Sequence, residues 1–174
     1  MKRLALLAVL AALVGCREND AAGPGRIEVA WTGADTGQLH MAALARWCAS
    51  DSLVQITGAS GDSGVALVVM AADTSVTPGV FPVALPLRIL SRPGARVALR
   101  WPGEMLTEGF YGLSGTVTID SGADLSGSFE ATLQSANDER EISMGGTFRE
   151  ITIQPGSAEA CGVPSPGAPE TRVP

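Results

Sequence analysis

A chain of 174 residues, 45% of them apolar, is long enough for one domain with a real core. Its 18 acidic residues outnumber 12 basic ones, and a net charge of −6 argues against nucleic acid, whose binding rests on phosphate neutralisation. One histidine and three cysteines leave little material for a metal centre, and Lys2, the only lysine, leaves none further along for a Schiff base.

The N-terminus reads MKRLALLAVLAALVGCREND. Lys2 and Arg3 precede an apolar run from Leu4 to Val14, and small Gly15 stands before Cys16. This is the pattern of a secretory signal peptide over residues 1–15. The run is shorter than the ~20 apolar residues a bilayer span needs, and the polar residues that follow at once do not suit a buried helix. Leu13-Val14-Gly15-Cys16 resembles the lipobox of bacterial lipoproteins. The resemblance implies cleavage before Cys16, diacylation of its thiol and acylation of the new amino group. Acyl chains contribute about 0.8 kcal/mol per buried CH₂, and stable anchoring takes two or more. Arg17 follows the cysteine, and by the same resemblance an outer-membrane destination in the cell envelope is expected rather than inner-membrane retention.

Cleavage removes Lys2 and Arg3 but no acidic residue, so the mature net charge is about −8. Electrostatic attachment to anionic lipid is therefore not expected, and the partner of the N-terminus is the membrane through its lipid. With Cys16 acylated, Cys48 and Cys161 remain as an even pair in an oxidising compartment. A disulfide between them is expected, with two free thiols or a metal site as alternatives. The metal is disfavoured because His40 is the sole histidine.

Residues 16–25 form a short lipidated tether, and residues 26–161 are expected to be a β domain. Ile27, Val29 and Trp31 alternate on a first strand. Residues 38–48 contain good helix formers, yet Leu39, Met41, Ala43, Ala45 and Trp47 alternate too; a strand is expected because nothing else in the chain reads as helix. Trp47 beside Cys48 is similar to β-sandwiches in which tryptophan packs on an inter-sheet disulfide, although the spacing is not that of an immunoglobulin domain. Val54 and Ile56 mark a further strand, and the run VALVVMAA (65–72) suits a central one.

Between them lies Gly61-Asp62-Ser63-Gly64, which resembles the serine motif of chymotrypsin-like proteases. The resemblance fails nearby: Val65 stands where that family has a second glycine. His40 also lies too few residues upstream for the family's double barrel. Gly, Asp and Ser between two apolar strands read as a hairpin turn, and no catalytic residue is assigned.

Val97, Leu99 and Trp101 alternate with Arg96, Ala98 and Arg100. The fourfold recurrence of Arg88, Arg92, Arg96 and Arg100 is broken by Pro93-Gly94, so it marks no helix face. The segment WPGEMLTEGFYG (101–112) is the expected ligand-facing loop, with Trp101, Phe110 and Tyr111 as candidate binding residues. Trp31, Trp47 and Trp101 otherwise fall on apolar parities and suit the core; two exposed together would form a sugar-stacking platform. Glu28, Glu104, Glu108 and Glu130 are candidates for a hydrolase carboxylate pair, but nothing in the sequence pairs them.

The last third gives the clearest pattern. Leu113, Gly115, Val117 and Ile119 alternate before the turn DSGAD (120–124), whose two carboxylates fall short of a calcium loop. Leu125, Gly127, Phe129, Ala131 and Leu133 alternate before SANDER (135–140), followed by Ile142, Met144, Gly146 and Phe148. The parity then switches to Ile151 and Ile153, which predicts a β-bulge at Arg149-Glu150. The fold class is therefore all-β: an antiparallel sandwich or barrel of about eight to ten strands, closed by a three-stranded meander. The Pro-rich stretch 162–174 is expected to be a disordered tail. As a whole, residues 16–174, with the Trp47-Cys48 to Gly61-Asp62 spacing, loosely resemble small β-rich lipoproteins of bacterial envelopes. The expected role is non-catalytic binding or structural interaction with an envelope protein, with no cofactor. A glycan- or lipophilic-ligand module is the alternative, and a carboxylate-based hydrolase a distant third.

Overall fold

The computed structural model describes residues 25–85, 92–103, 107–122, 124–157 and 161. The expected signal peptide, the tether before Gly25 and the Pro-rich tail lie outside them. Among the described residues nine strands form in order: β1 Gly25–Gly33, β2 Gly37–Cys48, β3 Leu53–Ser60, β4 Ser63–Met70, β5 Gly79–Pro82, β6 Gly94–Pro102, β7 Thr107–Ser121, β8 Asp124–Ser135 and β9 Glu141–Pro155. They build one sheet in the order β5-β7-β6-β4-β3-β2-β1-β9-β8, and a further β7–β8 pairing closes it. The result is an eight-stranded barrel, with β5 as a short extra strand beside β7. Of sandwich and barrel, the chain is a barrel.

Connectivity sets which groups meet at which end. The β1–β2, β3–β4, β6–β7 and β8–β9 hairpins turn at one end, here called the upper end. The chain enters at Gly25 and leaves towards Cys161 at the other. Residues 38–48 are a strand, because Met41, Ala43 and Ala45 point into the core while β1 and β3 pair on either side; tertiary context outweighs their helix propensity. Gly61 and Asp62 form the two-residue turn between β3 and β4. Of the two, only Gly61 has a positive φ, 57°, and glycine first is what a type II′ hairpin asks for.

The interior is filled by the barrel's own side chains. Ile27, Ile56, Leu67, Ile119, Leu125, Phe129, Leu133, Phe148 and Ile151 are each almost wholly buried. Large rings are seated opposite glycines: Phe129 pairs with Gly146, and Gly127 with Phe148. A Cβ at Gly146 or Gly127 would come within 2.6 Å of the facing ring, so these two inward positions hold rings only because they lack side chains.

The bulge at Arg149-Glu150 is present. The β8–β9 register passes from Gly127↔Phe148 to Leu125↔Ile151, and Glu150 takes a φ of 56°. Beyond it β9 leaves β1 and runs parallel to β2, from Ala45↔Ile153 to Trp47↔Pro155. Leu113 departs from the expected alternation. The register skips it, from Gly112↔Leu133 to Ser114↔Thr132, so it sits in a second bulge and the inward set of β7 begins earlier, at Phe110. The meander strands are long, at 15, 12 and 15 residues.

Cys48 and Cys161 form a disulfide, with S–S 2.04 Å and Cα–Cα 5.6 Å. Beside it the Gly156 amide donates to the Trp47 carbonyl at 2.9 Å, which holds the segment after β9 against the lower end of β2.

Candidate functional site

Two hairpins, β1–β2 and β6–β7, deliver the aromatic residues to the upper end. Trp31 closes the inward face of β1, Trp101 stands near the end of β6, and Phe110 opens the inward face of β7. Trp101 stacks on Trp31 at 4.9 Å and on Phe110 at 4.8 Å, with interplanar angles of 21° and 11°. Each such pair contributes about 0.5–1.5 kcal/mol beyond the area it buries. Trp31 and Phe110 are buried, while Trp101 is partly exposed above them. The Trp31 Nε1–H is buried without an acceptor among the described residues.

Arg140, on the β8–β9 turn, lies with its guanidinium carbon 6.0 Å from the Phe110 ring centroid. It pairs with Glu108 at 2.8 Å and Asp138 at 2.7 Å. The Arg140 amide and guanidinium both donate to Asp138 and hold its carboxyl below the usual range. Asp138 and then Glu108 hold the guanidinium more firmly charged. Arg140 and Asp138 are exposed and Glu108 is half-buried, so this cluster orders a turn over the aromatic stack rather than forming a buried charge site.

The expected aromatic loop therefore divides. Trp101 and Phe110 come together in the barrel end, whereas Tyr111, one residue on, faces outwards and donates its hydroxyl to Gln134 at 2.9 Å. Residues 104–106, Glu104 among them, lie outside the described residues. Of the other candidate carboxylates, Glu28 stands 3.8 Å from His40 on the outer wall, Glu108 is held by Arg140, and Glu130 is exposed on β8. His40 thus faces β1, and Ser63 pairs with Ser60 at the end of the β3–β4 hairpin. Asp120 lies near the end of β7 and Asp124 at the start of β8, and among the described residues no group of three or more His, Cys, Asp or Glu side chains is placed to hold a metal.

Two grooves lie on the outer wall. One, of about 1030 Å³, runs over β1, β9, β8 and β7. Its floor is in register: Thr32, Ser143 and Thr132 make one row, and Ala30, Gly145, Glu130 and Thr116 the next. It is rich in hydroxyls, with Glu130 as its one acidic lining residue. The other, of about 490 Å³, crosses β3, β4, β6 and β7 over Ala59, Gly64, Ala66 and Ala98, with Arg100 and Tyr111 beside them. Sequence reading missed both. Outward residues on neighbouring strands become a surface only once the register is known, and alternation identifies parity without register.

No family model, curated protein or solved structure matches this chain.

Proposed function

We propose that this protein is a lipid-anchored component of the bacterial cell envelope with a non-catalytic binding or structural role, and that it makes its contacts through its outer wall. The observation that carries the second half is the filled interior. A barrel whose centre is occupied by Phe129, Phe148, Ile56 and Leu67 has no room there for an apolar ligand. The tryptophans support the same reading, since Trp31 and Trp101 stack on each other instead of standing side by side as a sugar platform. The anchor rests on Leu13-Val14-Gly15-Cys16, and the Cys48–Cys161 disulfide suits an oxidising compartment.

The test is the intact mass of protein extracted from membranes, with free thiols alkylated and no reductant. The expected species starts at Cys16, carries acyl mass and takes up no alkyl adduct. An uncleaved chain would remove the envelope reading. Crosslinking in intact envelopes then reads out the partner. A second reading, glycan binding, is favoured by the hydroxyl-lined groove around Glu130; the same crosslinking would in that case return glycan adducts in place of protein ones.

A further inference from the structure

We infer that one side of the barrel, the outer wall of β2, β3, β4 and β6, rests on the anionic headgroup surface of a lipid bilayer. The starting point is a charge asymmetry that the overall composition hides. None of the chain's 18 acidic residues lies on these four strands, which are adjacent in the sheet. They carry instead Arg46, Arg96 and Arg100, whose side chains make no ion pair or hydrogen bond among the described residues. By contrast Arg140 holds two carboxylates and Arg92 donates to the Asp51 carbonyl.

The register arranges these charges around an apolar field. Arg46, Gln55, Val68 and Arg96 form one row across the four strands. The next row is Leu44, Thr57, Ala66 and Ala98, and above it Gly64 lies beside Arg100. Strands about 4.8 Å apart put Arg46 and Arg96 roughly 14 Å apart, and four residues along β6 put Arg100 about 13 Å from Arg96. Leu44 is 48% exposed. On β4 the outward residues Ala66, Val68 and Met70 are partly exposed, because a barrel strand buries only its inner face. Apolar side chains that can enter the headgroup boundary, rimmed by long cations that reach back to phosphates, are the chemistry an anionic membrane surface selects.

Two further points choose a membrane over other anionic partners. This choice rests on the lipid anchor proposed above. Nine residues, from Cys16 to Pro24, precede β1, and fully extended they reach about 30 Å at most. The chain leaves the barrel at Gly25, in register with Ala43 and so next to Leu44 at the panel's edge. A tether of that length keeps this wall close to the bilayer that holds Cys16. The mature net charge of about −8 does not oppose contact, because the far wall lies at least about 10 Å behind and is screened over a similar distance at 0.1 M salt.

The experiment uses a chain beginning at Arg17, which retains every core residue from Ile27 to Cys161 and lacks the acylation site. Its failure is thus separate from failure of the lipid-anchor reading, which intact mass decides. Co-sedimentation is measured with vesicles of phosphatidylcholine alone and of phosphatidylcholine mixed with phosphatidylglycerol. Binding is expected only with the anionic lipid, weakening with salt. It is expected to fall about fivefold for each of Arg46→Gln, Arg96→Gln and Arg100→Gln, and on the order of 100-fold for all three. Leu44→Glu is expected to abolish it, while Glu141→Gln on the opposite wall leaves it unchanged. Near-ultraviolet circular dichroism of the stacked tryptophans verifies that each variant is folded. Equal binding to neutral vesicles, or binding that survives the triple substitution, would overturn the inference. So would sedimentation showing self-association through this wall with no vesicle binding, which would assign it to a second copy of the chain.

Discussion

Gly37 and Gly127 each face an aromatic ring across a strand pair, but a methyl group at the two positions would strike different things. At Gly37 the three nearest atoms all belong to the Trp31 ring, with Cη2 at 2.7 Å and Cε2 at 2.8 Å. At Gly127 the Thr118 carbonyl oxygen is closer still than the Phe148 ring. Alanine at either position should cost about 1–3 kcal/mol by overpacking. The cost should be recoverable at only one of them. In a double-mutant cycle followed by urea unfolding, Trp31→Leu should remove most of the penalty of Gly37→Ala, because a side chain is the obstacle. Phe148→Leu should leave the penalty of Gly127→Ala largely in place, because backbone remains in the way. Equal rescue at both positions would contradict this account. Alternation alone marks Gly127 and Gly146 as inward. It cannot show that they are the sockets of Phe148 and Phe129, since that depends on register. The aromatic candidates are similar: Trp101 and Phe110 are legible as a pair, but placing Tyr111 with them treats as loop what is strand from Thr107 onward.

At the scale of elements, β9 does the most unusual work, pairing first with β1 and then with β2. The change of partner occurs at Glu150, whose φ of 56° is the left-handed conformation that side chains with a Cβ resist. Its amide, displaced from the ladder, donates to the Ser126 hydroxyl at 3.1 Å. Valine, branched at Cβ, should be poorly tolerated there, with Glu150→Val costing about 1–2 kcal/mol. Glu150→Gly should be neutral or stabilising by up to about 1 kcal/mol. Urea midpoints decide it, and a tolerated valine would mean that the bulge can relax elsewhere. This feature was readable in the sequence, because the apolar parity changes between Phe148 and Ile151 and only an extra residue keeps both inside. The bulge at Leu113 was not. An apolar residue at the bulged position continues the alternation of Val117 and Ile119, so nothing in the pattern breaks.

For the molecule as a whole, the decisive step is closure, which joins β7 to β8 and leaves the last strand beside the first two. The chain after β9 is then fastened to Cys48 across a sequence separation of 113 residues. In the native barrel this bond adds little constraint, since β9 is already paired with β2 from Ala45 to Trp47. Its effect falls on the unfolded chain, whose loop-closure entropy it removes, and the chain-entropy model puts that near 5 kcal/mol for a loop of this length. The Cys48→Ala/Cys161→Ala double variant should therefore keep its near-ultraviolet circular dichroism at low urea but unfold at a much lower midpoint. The unchanged protein in reductant should match it. A difference below about 1 kcal/mol would mean that the unfolded chain is already compact enough for the bond to be redundant. The size of the effect bears on where the protein can work. Domains of this kind have about 5–15 kcal/mol of net stability, so losing nearly 5 in a reducing compartment would leave the barrel marginal. Unfolding curves measured with and without reductant thus test the envelope reading by a route independent of the lipid on Cys16.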